Sequence, residues 1–235
     1  VDMASGAYLY DHTDLKLGSR EPLGLSLIRS YNSNHYARKT GFGYGWTHNY
    51  DIRLNRGSHA GPVMGRRQIA EAAPFVVAAY VINDIMRNES HVKDTVISAL
   101  IAKWAMDQIN DNSVTVQAGN RHMEFIKLPD GSYSAPPGIT TQLAKNTGGT
   151  FSLVERSGTR TTFNADRRIG EIMDIDGNAM TFAYSINNNL ASVRDARGRT
   201  LAFSYYGDTI SSVSDSAGRS VSYTYDAGGN LTGFI

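Results

Sequence analysis

Residues 193–234 read VRDARGRTLAFSYYGDTISSVSDSAGRSVSYTYDAGGNLTGF, and the order within this stretch repeats. Asp195-Ala196-Arg197-Gly198 recurs as Asp215-Ser216-Ala217-Gly218, and the pattern extends backward. Gly158, Gly177, Gly198 and Gly218 are 19, 21 and 20 residues apart, each with an acidic residue three positions earlier: Glu155, Asp174, Asp195 and Asp215. An aspartate at the first position of a type I turn accepts from backbone N–H groups, and glycine at the fourth supplies a positive φ. Each of these tetrapeptides is therefore expected to close a hairpin.

Five residues after each glycine stands Phe163, Phe182, Phe203 or Tyr223, and seven after it Ala165, Tyr184, Tyr205 or Tyr225. Residues two apart in a strand share a face, so the rings are expected to form an aromatic ladder, with only the first copy departing. Ile169, Leu190, Ile210 and Leu231, each followed three residues later by Ile172, Val193, Val213 or Phe234, mark a second strand per unit. One hairpin alone is marginal in water, so the units must lie side by side.

Outward from the repeats, Val114-Thr115-Val116 and His122 to Leu128 flank Ala118-Gly119-Asn120 as a hairpin, followed by a loop-rich stretch with Asp130-Gly131 and Pro136-Pro137-Gly138. Between 66 and 110 the period changes. Ile69, Ala72, Phe75, Val76, Ala79, Ile82 and Met86, then Val92, Val96, Leu100 and Trp104, recur at helical spacing. Two helices joined at Asn88-Glu89-Ser90 are expected, with Ser90 capping the second and Pro74 kinking or restarting the first. Their apolar residues cover more than one face, which predicts that they pack together and against the sheet or a partner. Residues 1–64 alternate in short runs, as in Leu23, Leu25 and Leu27. The predicted organisation is a mainly β, antiparallel meander with an inserted helical hairpin: a β segment at 1–64, the helices at 65–112, a hairpin and connection at 113–149, and repeats at 150–235.

Composition narrows the function. The 235 residues carry 23 Lys plus Arg against 22 Asp plus Glu, a net charge of +1, and no cysteine. A disulfide framework and a thiolate metal site or nucleophile are excluded. The repeats hold no lysine, and eight arginines against nine carboxylates, which argues against nucleic acid. The longest apolar run, Ala72 to Ile82, is interrupted by Pro74 and too short to span a membrane. VDMASGAYLY at the start shows no secretory signal.

Gly41-Phe42-Gly43-Tyr44-Gly45 lacks the strand and helix that a phosphate-cradling loop needs. Asp174-Ile175-Asp176-Gly177-Asn178 imitates a calcium loop, but the twelfth position is Ser185 instead of glutamate. His12, His35, His48, His59, His91 and His122 show no metal-ligand spacing. No catalytic residue, cofactor or metal ligand is assigned; the candidate residues are the turns Asp174, Gly177, Asp195, Gly198, Asp215 and Gly218 and the ladder Phe163, Phe182, Tyr184, Phe203, Tyr205, Tyr223 and Tyr225.

GRSVSYTYDAGGNLTGF at 218–234, with the dipeptide Tyr225-Asp226, resembles the tyrosine-aspartate (YD) repeat of rearrangement-hotspot (RHS) proteins. RSYNSNHYARKTGFGYGWTHNYDIRL at 29–54 resembles the segment that opens the repeat region in that family, through Tyr31-Asn32-Ser33 and Gly45-Trp46-Thr47-His48-Asn49-Tyr50. The resemblance implies a hairpin ribbon spiralling into a hollow shell around a C-terminal toxin or effector domain, in bacterial polymorphic toxins and other secreted or cell-surface proteins. It implies further repeats and the enclosed domain as partners, and a structural role without catalysis. The helical stretch departs from the family pattern, and nothing here matches the autoproteolytic motif at the toxin junction. A second reading, carbohydrate or cell-surface binding, would use exposed Tyr and Phe rows. The last strand near 230–235 is expected to present a free edge able to self-associate.

Overall fold

The computed structural model describes residues 2–3, 6–19, 21–58, 74, 77–79, 81–85, 96, 99–100, 103–104 and 106–235. The chain is mainly β and antiparallel, as the repeat spacing requires. Three strands form an N-terminal sheet, the cap: β1 (Leu9–Gly18), β2 (Gly24–Asn32) and β5 (Trp46–His48), with a two-residue ribbon of β3 (Lys39–Thr40) and β4 (Gly43–Tyr44) between. A second sheet joins β6 (Ile52–Gly57), β7 (Ser113–Ala118), β8 (Arg121–Lys127) and β9 (Tyr133–Ser134). The rest is a ten-stranded sheet, the wall, in strict sequence order. Its strands are β10 (Gln142–Lys145), β11 (Phe151–Val154), β12 (Arg160–Phe163), β13 (Ile169–Met173), β14 (Ala179–Tyr184), β15 (Leu190–Arg194), β16 (Thr200–Tyr206), β17 (Thr209–Asp215), β18 (Ser220–Tyr225) and β19 (Leu231–Phe234).

Turn chemistry sets this order. In the turn after β15, Gly198 donates its N–H to Asp195 O and Asp195 its own to Arg199 O. The same five-residue loop recurs on this edge at 155–159, 174–178 and 215–219, with Gly158, Gly177, Gly198 and Gly218 at φ between +81° and +88°. A type I turn closed by one left-handed residue is a favoured hairpin connection. The opposite edge uses it too, with Arg167 (φ +68°) in the 164–168 loop, Asn188 (φ +63°) in the 185–189 loop and Gly229 (φ +83°) in the 226–230 loop in the left-handed position. The link from β16 to β17 is instead a two-residue loop, Gly207-Asp208.

One face of the wall packs on the other two sheets. Leu15, Leu17, Leu25, Leu27, Phe42 and Tyr50 of the N-terminal segment meet Ile169, Met180, Phe182, Leu190, Val193, Leu201, Phe203, Ile210, Val213 and Tyr223 in one core. Leu54, Val114, Val116 and Phe125 meet Leu143, Phe151, Leu153 and Phe163 in a second. Along β14 and β16 buried and exposed residues alternate, as expected of strands covered on one side.

Residues 77–79, 81–85 and 106–109 are helical. Ile69, Ala72, Phe75, Val76, Met86, Val92 and the Asn88-Glu89-Ser90 turn lie outside the described residues. Val77, Val81, Ile82, Ile85, Val96, Leu100, Trp104 and Met106 are 40 to 64% exposed, so the expected burial against the sheet does not hold for these side chains. Strands β6 and β7, which bracket the stretch, already pair with each other and fill their core with Leu54, Val114 and Val116. No helix among the described residues is long and apolar enough to cross a membrane.

Candidate functional site at the seam of cap and wall

The repeat turns do more than reverse the chain. Asp195 Oδ1 accepts from the N–H groups of Arg197 and Arg199, both at 2.9 Å, while its Oδ2 accepts from Arg199 Nε at 2.7 Å. Asp215 is held in the same way by Ala217, Arg219 N–H and Arg219 Nε. The guanidinium, fixed by the turn that it closes, then reaches outward: Arg199 Nη2 donates to Leu23 O at 2.6 Å and Arg219 Nη2 to Lys16 O at 2.8 Å. Two consecutive turns thus grip the backbone of β1 and of the β1–β2 connection, with Ala196 N–H adding a bond to Pro22 O.

The residue after the turn glycine decides whether a turn grips. Asn178 occupies that position in another copy and Asn230 the matching one in the 226–230 loop of the opposite edge, and each closes back on its own aspartate (Asp174, Asp226) through Nδ2. Hydrogen bonds from Asn178 and Asn230 hold the Asp174 and Asp226 carboxyls below the usual range. Burial pushes the Asp215 carboxyl up, but the N–H and guanidinium bonds of Arg219 outweigh it and the net shift is downward. Arg199→Met with Arg219→Met keeps the stems and removes both grips. The pair is expected to cost about 1–2 kcal/mol and to speed amide exchange in residues 15–27 while leaving β17 and β18 unchanged.

The ladder contributes the apolar half of the seam. Phe163, Phe182, Phe203 and Tyr223 are buried. Tyr184, Tyr205 and Tyr225 are partly buried, and their hydroxyls donate to Ile169 O, Leu190 O and Ile210 O at 3.0, 3.0 and 2.7 Å, each fifteen residues back. Each tyrosine therefore ties its strand to the start of the strand before it. Burial raises all three phenols, Tyr205 to about 12. These rows are thus not the exposed platform that sugar stacking would use.

Sequence reasoning passed over the centre of the seam. The side chains of Arg29 and Asp14, both fully buried, form a two-pronged ion pair, Arg29 Nε to Asp14 Oδ2 and Nη2 to Oδ1 at 2.8 Å. Tyr223 of the wall donates its hydroxyl to Asp14 Oδ2 at 2.7 Å. Four rings surround the guanidinium: Phe234 at 4.5 Å, Trp46 at 5.1 Å, Tyr223 at 5.2 Å and Phe42 at 5.8 Å. An arginine in an alternating strand carries no sequence mark that separates it from a solvated one.

His48 stands nearby, edge-on to Phe42 and tilted against Phe203, at 5.6 and 5.9 Å, with Nδ1 buried and without a partner. It lines a cavity of about 180 Å³ between the cap and the ladder tyrosines Tyr184 and Tyr205. Burial lowers its pKa to about 4, opposed by the Asp51 charge and assisted by Arg53. The unfolded chain binds this proton near pH 6.5 and the folded chain does not until near pH 4. His48 therefore favours folding above pH 6.5, and that contribution, about 3 kcal/mol, is lost as the pH falls from 6.5 to 4. Glu21, raised by burial, shifts the other way at the low end of this window, and Asp51, lowered overall, adds further loss below it. Urea unfolding at pH 7.5 and 4.5 is expected to show the loss in the natural chain and a flatter response in His48→Gln.

Among the described residues no cluster of three His, Cys, Asp or Glu could hold a metal. Residues 1–68 match the family described as a domain of unknown function (DUF6531), and residues 205–233 match the family described as RHS Repeat. No curated protein matches the chain.

Proposed function

We propose, from the premise that this chain is an RHS/YD-repeat protein, that it is a structural module: the leading section of a wall of hairpins, sealed at its start by the N-terminal cap, that encloses a C-terminal toxin or effector domain. The observation that carries this reading is the seam, where the DUF6531-matched segment is bolted to consecutive repeat turns and fills the ladder face of the sheet. Containment needs a wall without gaps and an end that does not open. Continuous antiparallel pairing over ten strands supplies the first and the clasped cap the second. The role is non-enzymatic, acting by exclusion, and is consistent with a secreted or cell-surface protein.

The coding sequence beyond the Ile235 codon tests the reading. Further units of about twenty residues with acid-x-x-glycine turns, then an unrelated domain that resists protease until the wall is opened, would support it; an immediate stop codon would refute it.

A further inference from the structure

Ile172, Val193 and Val213 hold equivalent positions in three successive repeat units. Val193 and Val213 are fully buried in the core shared with the cap, but Ile172 is only partly covered. A strand lies on either side of it, β12 and β14, so the opening is on the face of the wall and not at a sheet edge. The turns change at the same point. Arg199 and Arg219 reach across to the cap, whereas Thr159 and Asn178 hold that position in the two earlier turns. A cleft of about 940 Å³ remains there between cap, second sheet and wall. Hairpins that extend the wall past β19 would add six strands away from Ile172.

The cleft is apolar on one side and acidic on the other. Ile52, Val116, Met123, Leu153 and Ile172 line the apolar side. Glu21, Glu155 and Asp174 face Lys16 as its only lining cation among the described residues. Asp174 is engaged by its own turn. Glu21 is held differently: Tyr50 Oη at 3.1 Å, and Ser26 Oγ and Asn49 Nδ2 both at 3.3 Å, all donate to its Oε1. Its Oε2 has no partner among the described residues. The carboxylate is thus fixed through one oxygen and offers the other. Burial raises the Glu21 carboxyl, and its hydrogen bonds oppose this only in part, as expected of a charge without a cation beside it.

We propose that this cleft binds an extended peptide segment of a partner protein, carrying one lysine between apolar side chains, with the ammonium on Glu21 Oε2. Charge complementarity sets the sign, and the single open oxygen sets the residue. A guanidinium fork engages both oxygens of a carboxylate, and Oε1 is already filled; an ammonium is a compact charge that needs only one. The volume lies near the upper end for ligand clefts, roughly 1,000 Å³, and leaves room for the residues on either side of the lysine. Ser157 and Thr159 place hydroxyls on the rim, where peptide groups can bond them. The inference goes beyond containment and does not rest on it, since every residue that it uses lies within this chain.

Titration of the 235-residue chain with acetyl-Leu-Lys-Leu-amide, followed by calorimetry and by amide chemical shifts, tests it. Saturable binding is expected, with shifts at Ile52, Val116 and Ile172. Norleucine in place of the lysine, or Glu21→Gln in the protein, should each weaken it about tenfold, and arginine in the peptide should bind less tightly than lysine. Thr159→Arg gives the first turn the reach of Arg199 and Arg219, and should block the peptide while the chain stays folded. No saturable binding up to about 10 mM peptide overturns the inference. So do equal affinities for the lysine and norleucine peptides, or shifts confined to residues outside the cleft. An equal affinity for n-hexylamine overturns the peptide as occupant and assigns the cleft to small amines. The lysine and norleucine comparison uses the natural chain, so the test holds even if Glu21→Gln fails to fold.

Discussion

Asp14→Ala is expected to lower stability by about 3–5 kcal/mol, measured by urea unfolding at pH 7.5. The substitution leaves the Arg29 guanidinium fully buried with no carboxylate, and takes the acceptor from the Tyr223 hydroxyl. Ring faces around Arg29 do not replace a two-pronged ion pair, because a cation over an aromatic ring is worth only about 0.5–2 kcal/mol. Against a typical total of about 5–15 kcal/mol, a loss of this size separates a folded from a partly unfolded population at physiological temperature. Replacing both partners, Asp14→Leu with Arg29→Met, should restore most of the loss, since the destabilisation comes from an orphaned charge more than from a missing attraction. If Asp14→Ala melts like the natural chain, the cap is not seated on the wall through this pair.

Phe203→Ala is expected to cost about 3–5 kcal/mol, because it empties a buried site that touches both halves of the core. Phe203 sits opposite Val213 in the neighbouring strand and against His48 of the cap, so the space cannot close by movement of one element alone. Two positions along, Tyr205→Phe removes only the hydroxyl bond to Leu190 O and should cost about 1 kcal/mol. The contrast separates two roles that the repeat spacing joins: the ring five residues after the turn glycine fills the seam, and the ring seven after it pins the adjacent strand. Thermal melts of the two variants and their double mutant measure the difference, with near-additivity expected only if the residues act through separate contacts.

The repeat was legible in the sequence because its turns force a rare backbone state. Gly177, Gly198 and Gly218 stand out because a left-handed residue strongly favours glycine, and the acids before them because a carboxylate satisfies turn N–H groups. The opposite row of turns was not legible. Gly149 and Gly229 hold the left-handed position in two loops of that row, but Arg167 and Asn188 hold it in the loops between and Gly207-Asp208 makes a two-residue link, so no even spacing of glycines survives. The two-residue spacing placed the aromatics on one face, but not that their face would be covered, nor that Tyr184, Tyr205 and Tyr225 would each reach a carbonyl fifteen residues back.

The seam was hidden for a different reason. The bonds from Arg199 to Leu23 and from Arg219 to Lys16 join residues 176 and 203 positions apart, and no local pattern encodes a partner at that distance. The signal that existed was the residue after the turn glycine, arginine in two copies and Thr159 and Asn178 in the other two. In the helical stretch, periodicity identified the local structure of the described residues but overstated their burial, because helical spacing reports a side-chain pattern and not the presence of a surface to cover it.

Cap and wall are expected to unfold as one cooperative unit. Trp46 lies in the cap against Arg29, and Trp104→Phe leaves it the sole tryptophan. Urea unfolding of that variant, followed by Trp46 fluorescence and by the far-ultraviolet β signal together, reports on this cooperativity. Coincident transitions with one midpoint are predicted; loss of the Trp46 signal at lower urea, with the β signal intact, would contradict it.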